Sequence, residues 1–119
     1  MNTEELDKYL RDLKFIVVSD VETGKPFAIH FGFHLPNLHS EIFADAKLKY
    51  KDIKKDISVQ GGGRITKSGN KIVFYSQSER YGRYEDTIVL SLAPKHELFA
   101  GYGFEFFSKA GENDLNSII

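Results

Sequence analysis

The feature that most constrains this chain is a run of three glycines, Gly61 to Gly63, followed at once by Arg64. Consecutive glycines cost backbone entropy, and that cost is tolerated where a chain turns sharply or where another group must approach the backbone closely. The run therefore predicts either a β-bulge with a solvent-facing arginine or a close-approach surface beside a fixed positive charge. These residues alone do not separate a structural bulge from an anion site.

The glycine run opens a predicted β-hairpin. A second β-rich segment, Lys71 to Tyr75, follows a turn at Lys67 to Asn70. Gly69 and Asn70 are residue types that accept the positive φ angles of a tight hairpin turn. We therefore expect antiparallel strands on either side of this turn.

Composition favours one domain, residues 1–119, with one core. The chain has 119 residues, 41% hydrophobic and 28% charged, and a chain of this size buries about two-thirds of its unfolded surface. It contains no cysteine, which excludes disulfides and cysteine-based phosphatase or protease mechanisms. The net charge is −1 with a pI of about 6.4, so we expect no nucleic-acid partner. Without a signal-peptide pattern or a long apolar run, we expect a cytoplasmic protein and no membrane partner.

The first third of the chain predicts a helix followed by two strands. The first 13 residues are interpreted as an N-terminal helix, amphipathic over residues 3–12. Phe15 to Val18 and Phe27 to Phe31 are apolar runs typical of strands that pair across a turn.

A longer helix is predicted to begin at Ser40, with an apolar stripe that runs on to Ile57. The stripe consists of Ile42, Phe43, Ala46, Tyr50, Ile53 and Ile57. Most lysines of this segment fall elsewhere on the helical wheel, and we interpret them as a solvated face rather than a nucleic-acid site.

The last third is less regular. Arg83 to Leu92 fits a strand by propensity and a helix by periodicity, and both remain open. Leu98 to Phe107 predicts a late strand, and residues 109–119 a loose tail. Together these elements predict an α+β fold with a mixed or antiparallel sheet of five or six strands and two to three packed helices. We expect a monomer.

Four histidines are the candidates for chemistry. His30, His34 and His39 lie near one another in sequence, but no carboxylate spacing supports a metal site, and we predict none. His96 follows Pro94 and is predicted to be an ordinary surface residue. His39 lies just before a predicted helix N-terminus, where a neutral imidazole can act as a base or a nucleophile. A helix-capping or core histidine is the alternative interpretation.

The motifs of this chain resemble those of the Janus/ocnus family, whose well-described members are small protein phosphohistidine phosphatases. That family carries Gly-Gly-Gly-Arg-Ile, then Lys-Ile with a Tyr, then Ser-x-x-Tyr-Gly, and the segment from Gly61 to Gly82 is similar in order and spacing. Gly32-Phe33 takes the place of a Gly-Tyr pair, and His39 takes the place of the catalytic histidine. The 22-residue interval from His39 to Gly61 matches without a gap.

The resemblance implies a set of site residues. His39 would be catalytic, and the phosphate would contact a second group: Lys14, Ser40, Glu41, Arg64, Ser78 and Arg80. The contacts at Ser40 and Glu41 would be backbone N–H groups. Two departures from the family bear on substrate choice. A second-strand arginine is replaced by Phe31, which we interpret as a lost substrate contact, and Arg80 stands where a small residue is usual.

The resemblance further implies a metal-independent phosphatase with no cofactor, acting on a phosphorylated protein or a small phosphoramidate. His39 would activate water or accept the phosphoryl group transiently, and the sequence does not separate these. The alternative is a module on the same fold that binds phosphate or phosphoproteins with little or no turnover, suggested by Phe31. A third interpretation is a structural domain that binds a partner through its aromatic C-terminal strand.

Overall fold

Five strands and two α-helices make up the described part of the chain, residues 10–32 and 38–107 of the computed structural model. In chain order they are β1 (Leu13–Asp20), β2 (Pro26–Phe31), α1 (His39–Lys51), β3 (Ile57–Ser68), β4 (Lys71–Tyr75), α2 (Asp86–Leu92) and β5 (Gly103–Phe106). Two short 3-10 helices, Ala93–Lys95 and Glu97–Phe99, lie between α2 and β5. The predicted α+β class is confirmed.

The strands form one mixed sheet in the order β2-β1-β3-β4-β5. All neighbours are antiparallel except β4 and β5, which are parallel. The predicted pairing of the first two strands and the predicted hairpin are both confirmed. In the hairpin turn Gly69 adopts a positive φ of 61°, whereas Asn70 does not, so only one of the two predicted turn residues has this conformation.

Alternating side chains along the strands divide the core between the two faces of the sheet. On one face α1 covers a small cluster that consists of Ile16, Val18, Ile42, Ala46 and Tyr50. The other face carries the larger cluster, to which α2 and the 3-10 helices contribute Val89, Ala93 and Phe99. The sheet is therefore covered on both sides, by α1 on the face that carries Ile16 and by α2 with the 3-10 helices on the other.

The glycine run contains a β-bulge. Ile16 of β1 pairs with Gly62, but Val18 pairs with Val59, so two residues of β3 stand opposite one residue of β1. Gly61 lies in this bulge with a φ of 99°, a conformation that favours glycine. The bulge predicted from the glycines is present, and Arg64 beyond it is partly buried rather than fully solvent-facing.

The predicted N-terminal helix does not reach the described residues. Leu10 to Asp12 are not helical, Asp12 has a φ of 52°, and Leu13 already belongs to β1. The rest of that predicted helix, residues 1–9, lies outside the described residues, as does the predicted tail at 109–119.

Helix α1 ends earlier than its apolar stripe suggested. Ile42, Ala46 and Tyr50 are buried as predicted, but the helix stops at Lys51 and Ile53 is 64% exposed. Lys54 adopts a φ of 54°, which breaks the helical path, and Ile57 begins β3. The segment that allowed either a strand or a helix contains α2, and the predicted late strand is confirmed as the shorter β5.

None of the helices in residues 10–32 and 38–107 has both the length and the apolar character that a bilayer-crossing segment needs.

Candidate active site

A cleft of about 430 Å³ opens where the start of α1 meets strands β1 and β3 and the loop after β4. Its lining consists of Lys14, Leu38, His39, Ser40, Arg64, Ser76, Gln77, Ser78, Glu79 and Arg80. Six of the seven predicted site residues are among them, although they lie as far apart in sequence as positions 14 and 80. Glu41 is the exception.

Two cations lie side by side on the floor of the cleft. Lys14 of β1 and Arg64 of β3 are directly paired across the strands, so their side chains emerge on the same face of the sheet. Partial burial, followed by the nearby charge of Arg64, lowers the pKa of Lys14 from its ordinary value. An anion placed between these side chains would relieve their mutual repulsion, so this part of the cleft favours a negatively charged ligand.

A tyrosine extends this row of side chains. Tyr75 of β4 pairs with Arg64, is fully buried, and donates a hydrogen bond from its hydroxyl group to the carboxylate of Asp12. Burial first, and then the Asp12 carboxylate, raise the pKa of Tyr75 well above its ordinary value, so the hydroxyl stays protonated. Tyr75 therefore serves as a hydrogen-bond donor that ties residue 12 to the sheet beside Arg64.

The imidazole of His39 packs directly on the glycine run. A Cβ atom at position 62 would lie 2.9 Å from Cδ2 of His39 and 2.6 Å from the carbonyl oxygen of Phe15. Such contacts are too short for real Cβ atoms, so only glycine leaves the ring its place. The glycine run predicted that another group approaches the backbone closely. At Gly62 that group is the ring of His39.

A hydrogen bond to the glycine run orients the His39 ring. Nε2 lies 3.1 Å from the carbonyl oxygen of Gly63. Because a carbonyl only accepts, Nε2 must carry the hydrogen and donate it, and the neutral ring then keeps its basic lone pair on Nδ1. Burial lowers the pKa of His39, the charges of Lys14 and Arg64 lower it further, and the hydrogen bond to Gly63 acts in the opposite direction. Near neutral pH the ring is therefore uncharged and able to take a proton.

The loop after β4 is fastened to the glycine run at Ser78. The N–H of this buried serine donates to the carbonyl oxygens of Gly62 (3.1 Å) and Gly82 (3.2 Å), and its Oγ accepts from the N–H of Tyr81 (3.0 Å). Gly82 donates back to the carbonyl oxygen of Ser78 (2.9 Å). This closed turn leaves Glu79 exposed at its tip, together with Arg80.

Helix α1 begins at His39 and not at Ser40. The residue before it, Leu38, occupies the N-cap position and offers no side-chain hydrogen bond. The N–H of Glu41 already donates to the carbonyl oxygen of Leu38 (3.0 Å), and Glu41 does not line the cleft, so the predicted role for its N–H is not supported by its position. The N–H groups of His39 and Ser40 precede the first hydrogen bond of the helix, as at the start of any helix, and both residues line the cleft.

Position 31 does not belong to this site. Phe31 pairs with Phe15 and packs in the larger core cluster, on the face of the sheet opposite to Lys14. The sequence-based interpretation that Phe31 costs the cleft a positive contact is therefore wrong, because a side chain there leaves the sheet on the other side.

His96 is partly buried and is not the ordinary surface residue that was predicted. Its ring packs at 5.2 Å from both Phe31 and Phe99, and its Nδ1 accepts from the N–H of Leu98 (3.3 Å). Burial is the main cause that lowers the pKa of His96. His96 therefore packs against the edge of the larger core cluster through Phe31 and Phe99.

His30 and His39, two of the histidines considered for a metal site, form hydrogen bonds with different partners. His30 bonds through Nε2 to the carboxylate of Asp45 at 2.8 Å, whereas His39 bonds to Gly63. Within the described residues no three histidine or acidic side chains converge in a way that would hold a metal ion. His34 lies outside those residues.

Sequence reasoning missed four residues of the cleft wall: Leu38, Ser76, Gln77 and Glu79. Three of them flank Ser78 in the loop after β4, which we call the serine loop. Their position beside Ser78 was the sequence signal that could have identified them. Ser76 has a φ of 65°, which marks the point where the chain leaves β4 and turns into the cleft.

The fold and the cleft together define a small α+β protein with one histidine beside paired cations. A sequence profile of the Janus/Ocnus family matches residues 8–100. The chain belongs to this family, as its motifs predicted. Among curated proteins no significant match to the chain was found.

Proposed function

We propose that this protein is a metal-independent phosphatase that acts on phosphohistidine or another phosphoramidate. The observation that carries the proposal is the arrangement of His39, whose Nε2–H is engaged by Gly63, in the same cleft as Lys14 and Arg64. A base held in a fixed tautomer next to two cations is what hydrolysis of a charged phosphoryl group requires.

Each part of the cleft has a role in this mechanism. Lys14 and Arg64 stabilise the charge on the equatorial phosphoryl oxygens, and the N–H groups at the start of α1 contribute further donors. Nδ1 of His39 removes a proton from water as the new O–P bond forms. The P–N bond breaks, its electron pair stays on nitrogen, and that nitrogen takes up a proton from solvent. In the covalent variant Nδ1 itself attacks phosphorus as the P–N bond breaks and the leaving nitrogen takes up a proton from solvent. Water then hydrolyses the phosphorylated His39 and releases phosphate.

The test is phosphate release from phosphohistidine without added metal. His39→Ala removes the base and should lower kcat by a factor of about 10² to 10⁴, the range for loss of a general base. Ser58→Ala, at a partly buried position of β3 outside the cleft lining, is the matched control and should keep the wild-type rate. Equal rates in wild type and His39→Ala would refute the proposal.

The alternative, a module that binds phosphate or phosphoproteins without turnover, was suggested by Phe31 in place of an arginine. Phe31 lies on the face of the sheet opposite to Lys14, so it no longer supports this alternative. It would regain support if a phosphorylated peptide bound saturably without hydrolysis and Arg64→Ala weakened that binding. The same titration also tests the structural-partner alternative, since that one predicts no dependence on phosphate.

A further inference from the structure

A row of basic and aromatic side chains leads from the cleft along the outside of α1. The Arg80 guanidinium lies 5.8 Å from the ring centre of Tyr81, which meets Phe43 edge-on at 5.9 Å. Nζ of Lys47 lies 4.2 Å from the ring centre of Phe43. We call these four residues the basic stripe. It begins at the cleft, because Arg80 is part of the cleft wall.

The basic stripe ends in a second concavity, which we call the lysine groove. This groove has a volume of about 850 Å³ and is lined by Val21, Lys47, Lys51, Lys54, Lys55, Asp56 and Ile57. Val21 is 55% exposed and gives the groove an apolar wall. Lys47 belongs to both features, so the cleft, the basic stripe and the lysine groove form one continuous surface.

The lining of the lysine groove carries four lysines and one acidic side chain, Asp56. Lys55 pairs with Asp20 at 3.4 Å. Lys47, Lys51 and Lys54 form no ion pair with any residue in the described ranges. A lysine side chain has an apolar stem and a charged end. Lysines beside an apolar wall therefore suit an occupant that carries both carboxylates and apolar groups.

We propose that the basic stripe and the lysine groove bind an acidic polypeptide segment of the substrate while its phosphorylated residue occupies the cleft. This inference rests on the proposed function for the phosphoryl site and adds the class of substrate: a protein with acidic residues near the phosphorylated one. A polypeptide fits better than nucleic acid, because the groove places the apolar side chains of Val21 and Ile57 beside its lysines, which suits a chain that carries apolar groups as well as carboxylates.

The geometry sets the spacing of the acidic residues. Lys51 follows His39 by 12 positions on one helix, a distance of about 18 Å at 1.5 Å per residue. An extended peptide spans this distance in about five or six residues. The acidic side chains should therefore lie roughly four to six positions from the phosphorylated residue, on whichever side runs along α1.

The experiment compares phosphohistidine peptides that carry either acidic residues or alanines four to six positions from the phosphohistidine, on each side in turn. The wild-type protein should show a lower KM for one acidic peptide. Lys47→Glu/Lys51→Glu should raise that KM by about tenfold at low salt, because it reverses two charges at the contact. Its kcat for a small phosphoramidate should remain unchanged, since neither lysine lines the cleft.

Lys71→Glu, an exposed lysine on β4, reverses a charge away from the lysine groove and is the matched control. Binding of the unphosphorylated peptides, followed by fluorescence anisotropy, separates this inference from the proposed function. A preference for the acidic peptide that Lys47→Glu/Lys51→Glu abolishes supports docking even if no phosphate is released.

Three outcomes would overturn the inference. One is equal binding of acidic and alanine peptides by the wild type. Another is that Lys71→Glu weakens binding of the acidic peptide as much as Lys47→Glu/Lys51→Glu does. The third is no peptide preference, together with binding of an oligonucleotide or of anionic phospholipid vesicles that Lys47→Glu/Lys51→Glu abolishes.

Discussion

Each glycine of the run makes room for a different neighbour. A Cβ at Gly61 would lie 2.7 Å from the carbonyl oxygen of Arg83. Gly61 also has a positive φ, which a side chain would strain. A Cβ at Gly62 would meet the His39 ring, and one at Gly63 would lie 2.6 Å from the ring of Tyr84. Gly61 therefore makes room for the backbone at Arg83, Gly62 for the cleft histidine and Gly63 for a core tyrosine.

At the residue scale the sharpest prediction concerns Gly62→Ala. The new methyl group must displace the His39 ring or the β1 backbone, so we expect a loss of about 1–3 kcal/mol in the free energy of unfolding. We also expect a loss in kcat of about 10² or less, the range for a misplaced catalytic group. Urea denaturation and phosphate release measure the two effects.

Gly103→Ala is the matched control for this prediction. A Cβ at Gly103 would have its nearest neighbour at 3.7 Å, an ordinary van der Waals contact. It should therefore leave both the unfolding free energy and kcat close to those of the wild type. Gly62→Ala with unchanged kcat would show that the position of the ring does not depend on this glycine.

Individual residues also show where sequence reasoning reached its limit. His39 and Arg64 were predictable as cleft residues because each stands next to a local signal, a helix start and a glycine run. His96 and Phe31 were not, because their surroundings come from contacts that no local pattern encodes. The ring of His96 packs on Phe31, which is distant in sequence, and the face on which Phe31 emerges depends on the register between β1 and β2.

At the element scale helix α1 begins beside the cleft at an N-cap residue, Leu38, that forms no capping hydrogen bond. Leu38 is 58% exposed and offers no capping group. Leu38→Asp would supply one and should raise the free energy of unfolding by about 1 kcal/mol. The same carboxylate would occupy helix N–H groups and repel an anion, so we expect weaker binding of inorganic phosphate, measured by the shift of Tm with phosphate concentration.

Leu38→Asn separates the two effects, because it caps the helix without adding a charge. It should stabilise the protein in the same way but weaken phosphate binding less than Leu38→Asp does. Unchanged or tighter phosphate binding by Leu38→Asp would argue against an anion at this helix start.

The elements themselves were largely predictable, and their ends were not. The hairpin and the first two strands follow from turn residues and apolar runs. The apolar stripe of α1 appeared to continue because Ile53 and Ile57 happened to keep its spacing, although the first is exposed and the second begins β3. The short α2 was ambiguous because the β-branched residues Thr87, Ile88 and Val89 favour a strand, while the helical spacing extends over only seven residues.

At the scale of the whole molecule His39 and His96, which are both partly buried, make stability depend on pH. The pKa values of His39 and His96 are lowered in the folded state, mainly by burial. Between the folded value and the unfolded value of about 6.5 the unfolded chain binds more protons. Their contribution to stability is therefore complete above about pH 6.5 and is lost as the pH falls towards the folded pKa.

His96→Asn checks this dependence, because it removes one titrating group and retains a side-chain acceptor for the N–H of Leu98. The free energy of unfolding, measured by urea denaturation from pH 7.5 to 5, should fall less steeply for the variant than for the wild type. An identical slope in the two proteins would contradict the prediction.

The anchoring of the serine loop has a consequence for how this molecule can diversify. Every bond that holds the loop to the glycine run uses main-chain atoms or the hydroxyl of Ser78. The side chains of Glu79 and Arg80 take no part in that anchoring, yet both face the cleft. New partner preferences can therefore arise by exchanging these two apical side chains, while the scaffold that supports the chemistry stays as it is.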